Sequence, residues 1–270
     1  MKSLFIGKII LAMIDYLLIS MAGNGRRFQE ANFKTIKPLI TIGNQTILEK
    51  SLKHMTNYNK KIIILKKEIY EKNNNINKIF TTFGLEKFLL KKNTLGQSDT
   101  IYKVKDLVPL SKNILIHSCD YILKYSLHKN KSLFINSDVI VFVYKLKSRN
   151  VKDYKSFAYC KVDEKKQKIF EIKEKILISD KPYNDYMVVG TFWFKKMKLF
   201  LDMHEAAIKT KNMINGEYYV ANNINLLINK GYKVSYLEVD NWINLGDFFD
   251  YKQYLYYENF FKKNQKLLKC

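Results

Sequence analysis

Apolar runs that do not alternate with polar residues recur along the first half of the chain, separated by stretches of helical periodicity. Residues 16–21 form the first, a strand expected to be buried on both faces. Gly43-Asn44 marks a turn. From Thr46 onward, Ile47, Leu48, Leu52 and Met55 fall on one helical stripe. Residues 61–65 predict a second buried strand. A helical pattern over 69–83 follows, weakened by the run Asn73-Asn74-Asn75, and then a third strand at 87–90. After a turn at Gly96, residues 98–107 predict a helix with Ile101, Val104 and Leu107 inward, and 113–118 a fourth strand. Strands alternating with helices predict a mainly parallel sheet with crossover connections.

The pattern then changes. Residues 138–147, 156–162, 168–173 and 187–194 are strand-like with little helix between them, which predicts antiparallel additions to the same sheet. Helices follow over 197–209 and 217–229, then a strand over 233–239 and a last helix over 248–261. Aromatic residues crowd that final helix, where core packing or a contact between two copies is the plainer use than a cofactor box. A homodimer through this helix is a candidate contact.

A chain of 270 residues suits one α/β domain, here 13–270. Residues 1–12 are basic and then apolar, but Lys8 interrupts the apolar run, which is too short to span a bilayer. They read as an N-terminal extension or a misplaced start, and the protein as cytoplasmic, without stable membrane insertion.

The net charge of +22 admits nucleic-acid binding. The lysines, however, are spread over the chain rather than gathered into one tail or helix, so solvated faces explain them better, and no nucleic-acid partner is expected. Such a field still attracts nucleotides, sugar phosphates or an anionic membrane surface. Cys119, Cys160 and Cys270 are odd in number and far apart, which argues against a disulfide framework. No zinc-like spacing exists, and His54, His117, His128 and His204 do not cluster in sequence.

The chemistry gathers behind the first strand, in Met21-Ala22-Gly23-Asn24-Gly25-Arg26-Arg27-Phe28 and Lys37-Pro38-Leu39. Glycines let backbone N–H groups approach a phosphate closely. Arg27 can offer a planar fork to phosphate oxygens and Lys37 a point charge. A dinucleotide fingerprint would need a third glycine where Phe28 stands, and an acidic end to the next strand, which here ends in Lys66-Lys67. A Walker A loop would need Gly-Lys-Ser/Thr, and none follows. An ordinary strand-to-helix turn is the rival. Against it, the chain's arginines are Arg26, Arg27 and Arg149, and two of them sit in this loop.

This stretch resembles the signature of the sugar-phosphate nucleotidyltransferases, the nucleoside-diphosphate-sugar pyrophosphorylases. The likeness runs loosely from about Asp15 to about Tyr254. It implies an α/β fold: a Rossmann-like three-layer nucleotidyltransferase core, related to the GT-A fold, with a mixed, mainly parallel sheet. It implies nucleotide-binding roles for Met21, Ala22, Gly23, Asn24, Gly25, Arg26 and Gly96, with Arg27 and Lys37 catalytic.

Asp120 lies just past the fourth strand, where ligands of open α/β sheets bind. It can hold Mg²⁺, bond a ribose hydroxyl or merely cap a helix; the resemblance implies the metal role. It likewise places Glu174, Lys175 and Gly190 at the acceptor, although a solvated charge pair also describes Glu174 and Lys175. Asn215-Gly216-Glu217-Tyr218-Tyr219 resembles a family segment that makes Glu217 an acceptor contact; a helix N-terminal carboxylate is its rival. Trp242-Ile243-Asn244-Leu245-Gly246-Asp247 resembles the closing segment. Many relatives place a second Mg²⁺-binding Asp where this chain has Asn244, a weaker ligand for a hard cation, unless Asp247 compensates. Ile36 also departs from the family's usual Pro.

The expected activity is transfer of NMP from an NTP to a phosphorylated acceptor with release of pyrophosphate and Mg²⁺ as cofactor. A sugar 1-phosphate is the preferred acceptor, a phosphocholine-like compound the alternative, and a pyrimidine the preferred base. The resemblance further implies capsule or lipopolysaccharide precursor synthesis. A GT-A glycosyltransferase would usually show an Asp-x-Asp pair where this chain has Ser118-Cys119-Asp120. A non-catalytic nucleotide- or sugar-binding module is the third reading.

Overall fold

The computed structural model describes residues 14–23, 25, 28, 30–33, 35–55, 58–147 and 153–264. The proposed extension 1–12 lies outside them, as do Asn24, Arg26 and Arg27.

Among the described residues the centre is a nine-stranded sheet. Its first half, in spatial order, is β5 (Glu86–Leu90), β4 (Tyr58–Lys66), β1 (Ile14–Met21) and β6 (Ile114–Ser118), all parallel. This is the tract that alternates with helices in sequence. Its second half continues with β11 (Tyr186–Phe194), β8 (Val139–Tyr144), β12 (Val234–Glu238), β10 (Lys168–Glu174) and β9 (Ala158–Asp163). Here β11 runs antiparallel to both β6 and β8, and β10 to both β9 and β12, as the helix-poor stretch predicted. The pair β12–β8 is parallel, so the second half is itself mixed. β9 also meets β11, at Tyr186 opposite Cys160.

Alternate residues of the central strands feed two cores. Tyr16 and Leu18 of β1, with Ile62, Ile64, Ile114 and Ile116, face Ile101 and the helices α6 (Met197–Lys209) and α7 (Val220–Asn229). Leu17 and Ile19, with Ile63 and Leu115, face α1 (Ile47–Leu52), α3 (Ile76–Phe83) and α5 (Lys131–Asn136). Leu17, Leu18 and Ile19 are fully buried, and each such side chain contributes about 1.5–3 kcal/mol. This is the expected three-layer arrangement.

Local chemistry sets the helix boundaries. Thr46 and Glu49 form a capping box that starts α1. The pattern over 69–83 breaks into α2 (Lys67–Glu71) and α3, because the Asn73 amide bonds the Ile69 carbonyl and closes the first piece. The helix expected over 98–107 is shorter, α4 (Gln97–Tyr102). Beyond it the amides of Val104, Lys105 and Leu107 bond carbonyls three residues back. That tightening shifts the phase, so Leu107 is 51% exposed instead of inward. The helix expected from 217 starts at Val220, since Asn215 and Gly216 both have positive φ and make a turn that pairs Ile214 with Glu217.

Two small ribbons had no clear alternating pattern. β2 (Thr41–Ile42) and β3 (Gln45–Thr46) join across the Gly43 turn, and β7 (Tyr121–Lys124) pairs with β13 (Asn241–Asn244). The second ribbon carries residues 241–246 to the end of β6. The last helix, α8 (Phe248–Lys263), sits on a third core of Phe28, Ile40, Ile42, Ile47, Leu245 and Tyr251. No helix among the described residues is long and apolar enough to cross a membrane.

Candidate functional site

A cleft of about 530 Å³ opens at the carboxyl ends of β1 and β6. This is where parallel strands leave backbone ends free and ligands of open sheets bind. Met21, Ala22, Gly23 and Gly25 line one side, with Lys37, Gly96, Asp120, Glu174, Gly190, Glu217 and Asn244 around the rest. Residues from eight separate parts of the sequence thus share one cavity. Asn24, Arg26 and Arg27 belong to the same loop in sequence but lie outside the described residues.

Lys37 and Asp120 form the polar centre. Lys37 opens a one-turn helix started by Pro38, and its Nζ lies 2.5 Å from Asp120 Oδ2. Asp120 Oδ1 accepts a bond from the Ser118 hydroxyl at 2.7 Å. Burial by itself would raise the Asp120 carboxyl, but the Lys37 charge and hydrogen bond, with the Ser118 bond, outweigh it and hold the group below the usual carboxylate range. Asp120 therefore keeps its negative charge at neutral pH. Directly behind it, Gly246 passes so closely that a Cβ there would lie 2.5 Å from Asp120 Oδ2.

Asn244 lines the cleft beside this pair, but both ends of its amide are engaged. Its Oδ1 accepts the Gly246 N–H at 3.0 Å and its Nδ2 donates to Asp250 Oδ2 at 2.5 Å. Asp247 is not brought to the cleft; its carboxylate accepts the Phe249 N–H at 2.8 Å and caps α8. Among the described residues no group of three or more His, Cys, Asp or Glu is placed to hold a metal ion. Mg²⁺ needs few protein donors, however, since it usually keeps waters and takes one or two carboxylates plus substrate phosphates. The donor set fits a cation that arrives with a nucleotide and not a closed protein cage.

On the opposite wall, Glu174 ends β10, only 8% exposed. Burial, reinforced by nearby Glu217 and opposed by Lys175, pushes its carboxyl up to about 7. Lys175 does not line the cavity; in a left-handed backbone conformation it turns its Nζ to the Tyr219 hydroxyl, 2.6 Å away, and Tyr219 lines the cleft in its place. Glu217 lies on the turn that precedes α7, two residues before its N-cap Tyr219, and not in the first helical turn. Gly96 has a φ of +95°, and a Cβ there would press on the Tyr218 carbonyl at 3.0 Å and on Glu217 Cβ at 3.1 Å. The same segments are tied by backbone bonds from Tyr218 to Leu95 and from Ser98 to Tyr218.

A buried network beneath the cleft had no sequence signal. His117 bonds Ser51 Oγ at 3.0 Å and Thr191 Oγ1 at 3.1 Å, and Thr191 bonds the Tyr121 hydroxyl at 2.6 Å. The Tyr121 hydroxyl also accepts the Ser118 N–H at 3.3 Å, and its ring would sit 3.5 Å from a Cβ on Gly190. The network ties the Asp120 turn to the bulge in β11 at Gly190. Burial lowers the His117 imidazole to about 3, so it stays neutral, and burial with the Asp120 charge pushes the Cys119 thiol up to about 12. Neither group is poised as a base or nucleophile at neutral pH.

No protein-family model matches the sequence. No curated protein matches it significantly either. Solved structures do match. The nucleoside-diphosphate-sugar pyrophosphorylase from Vibrio cholerae RC9 superposes with a TM-score of 0.72 at 20% identity, covering 88% of this chain and 99% of that one. A UDP-glucose pyrophosphorylase complexed with UDP-glucose gives 0.70 at 14% identity, over 93% and 99% of the two chains. The inositol-1-phosphate CTP transferase from T. maritima gives 0.66 at 14% identity, over 89% and 93%. Over nearly its whole described length, then, the chain has the Rossmann-like fold of these nucleotidyltransferases.

Proposed function

We propose that the protein is a nucleotidyltransferase that joins an NMP unit, taken from an NTP, to a phosphorylated small-molecule acceptor. The observation that carries this reading is the Lys37–Asp120 pair in a cleft walled by the loop after β1, at the carboxyl end of a parallel sheet. An oxygen of the acceptor phosphate attacks the α-phosphorus in line, and the bond to the bridging oxygen of pyrophosphate breaks. A phosphate dianion is already nucleophilic at neutral pH, so no general base is needed, in keeping with a neutral His117 and a protonated Cys119. Catalysis is then positioning and charge neutralisation.

Each part of the cleft has a role in that scheme. The loop Met21, Ala22, Gly23, Asn24, Gly25 and Arg26 cradles the triphosphate, and Gly96 lets the base lie against backbone. Lys37 supplies positive charge at the reacting phosphates, and Arg27 takes the charge of departing pyrophosphate. Bound Mg²⁺, held by Asp120, would neutralise charge on phosphate oxygens. Glu174, Glu217 and Gly190 face the acceptor, with Lys175 acting through Tyr219. Asn244 is not assigned to the metal, because it is a neutral amide whose oxygen already accepts the Gly246 N–H and whose nitrogen donates to Asp250. Asp247 serves the helix cap.

The preferred acceptor is a sugar 1-phosphate, with a phosphocholine-like compound as the alternative, and a pyrimidine nucleotide is preferred as donor. Two of the solved structures are named for CTP and UDP-glucose, which supports the pyrimidine preference. Capsule or lipopolysaccharide precursor synthesis in the cytoplasm is the corresponding setting.

The test is to incubate the protein with Mg²⁺, each NTP in turn and a panel of phosphorylated acceptors while following pyrophosphate. Release that depends on both substrates supports the proposal. Consumption of an NDP-sugar without pyrophosphate would identify a glycosyltransferase, and tight nucleotide binding with no turnover a binding module.

A further inference from the structure

Helix α8 presents a surface that the cleft does not use. Tyr256, Tyr257, Phe260 and Phe261 are 66%, 56%, 42% and 41% exposed. They form one continuous aromatic patch: Tyr256 stacks on Phe260 with ring centres 6.4 Å apart, and edge-on contacts of 5.5 Å join Tyr256 to Tyr257 and Phe260 to Phe261. At the turn of an α-helix these four fall within an arc of about 140°, with exposed Lys252 and Lys263 along one edge. Scattered single apolar residues are ordinary on a surface, but four contiguous aromatic rings mark an interaction site.

Charge decides what covers it. The acidic side chains of α8 are each engaged by a partner, including Asp250, which lies on the same arc almost two turns before Tyr257. Glu258 is held by Lys50 at 3.1 Å and Lys262 at 3.6 Å, Asp250 bonds Asn244, and Asp247 caps the helix. What remains exposed is aromatic and cationic. The whole chain carries a net charge of +22, so a second copy docking here would bring two strongly positive bodies together, lysine edge to lysine edge. An anionic partner suits the same surface. Rings with polar or polarisable rims beside lysines settle at the boundary between headgroups and acyl chains, where the rings leave water and the ammonium groups meet lipid phosphates.

We propose that the exposed face of α8 docks the protein peripherally on an anionic lipid bilayer, with Tyr256, Tyr257, Phe260 and Phe261 at the headgroup boundary and Lys252 and Lys263 on lipid phosphates. The helix lies on the surface and does not cross it.

The experiment is co-sedimentation of the full chain with vesicles of phosphatidylcholine alone and of phosphatidylcholine mixed with phosphatidylglycerol. Wild-type protein is expected to partition onto the anionic vesicles, much less onto the neutral ones, and less as salt rises. The double variant Tyr256→Gln/Phe260→Gln is expected to lose about tenfold or more in partitioning, with its circular dichroism and thermal midpoint unchanged. Equal binding by the double variant would overturn the proposal, since adsorption would then come from net charge alone. So would absence of binding to anionic vesicles, or a dimer seen by light scattering that the same substitutions dissolve.

Discussion

The Lys37 ammonium lies 2.5 Å from the Asp120 carboxylate, although 83 positions separate them in the chain. One follows the loop after β1 and the other follows β6, and β1 and β6 are hydrogen-bonded neighbours, so the sheet itself delivers both charges to one point.

Replacing Lys37 by Met removes that cation and is expected to lower pyrophosphate release at least about 100-fold. It also leaves Asp120 half-buried without its main partner. The two side chains are 20% and 19% exposed, so solvent screens part of the loss, and about 1–2 kcal/mol of stability is expected to go. The sign follows from the direction of the shift. In the wild type the depressed Asp120 carboxyl contributes stability above its unfolded value, lost only as pH falls through the folded one. Urea denaturation should therefore show a larger deficit for Lys37→Met at pH 7 than at pH 3. Equal deficits at both would contradict the pairing.

Glu174 should give the opposite pH dependence. Its carboxyl is raised to about 7, so the folded state holds the proton between the unfolded value near 4.5 and 7. The stability this group contributes is fully present below the unfolded value and disappears as pH rises through 7, an effect on the order of 3 kcal/mol. Glu174→Gln should flatten the change in unfolding free energy between pH 5 and pH 8. The Michaelis constant for the acceptor should also rise above pH 7 in the wild type, as an ionised Glu174 comes to repel the acceptor phosphate. A pH-independent constant would remove Glu174 from the acceptor wall.

Asn244→Asp tests the metal assignment. The substitution deletes the donor to Asp250 and sets two carboxylates against each other where the amide stood 2.5 Å away. The free protein is expected to melt several degrees lower, and millimolar Mg²⁺ or Mn²⁺ to restore much of that loss by binding the folded state. The wild type, with a neutral amide there, should show a much smaller metal-induced shift in the absence of nucleotide. A large shift in the wild type would mean that a preformed metal cage exists.

Gly96→Ala probes the contact between two separate segments. At φ +95° with backbone of Tyr218 at 3.0 Å, an added methyl is strained and has no room. We expect a loss of about 1–3 kcal/mol, with a raised Michaelis constant for the NTP. Wild-type nucleotide affinity in a destabilised but folded variant would separate Gly96 from the base site.

The fold was legible in sequence wherever local periodicity and burial agree. Leu17, Leu18 and Ile19 sit in an unbroken apolar run because β1 is covered on both faces, and α6 was read with its observed bounds because its apolar stripe is uninterrupted. That the glycines after β1, Lys37 and Asp120 share one cleft was legible too, since each follows close on the carboxyl end of a parallel strand. Leu107 was misread because three-residue turns replaced the expected helix, a change that periodicity does not encode.

Other features depend on which strands become neighbours. The antiparallel pairing of β11 with β6 brings Thr191 to His117 and Tyr121, across 74 and 70 positions, and no pattern within either segment announces it. The β7–β13 ribbon sets Asn244 and Gly246 beside Asp120, and the next helix supplies the Asp250 that engages the amide. Sequence alone determined the main strands of the large sheet and the identities of the charges, because these follow from side-chain chemistry and local spacing. Tertiary structure alone decided that Glu174 is desolvated to a pKa of about 7, that Lys175 is diverted to Tyr219 and that Asn244 is engaged, because desolvation and competing partners arise only once distant segments pack together.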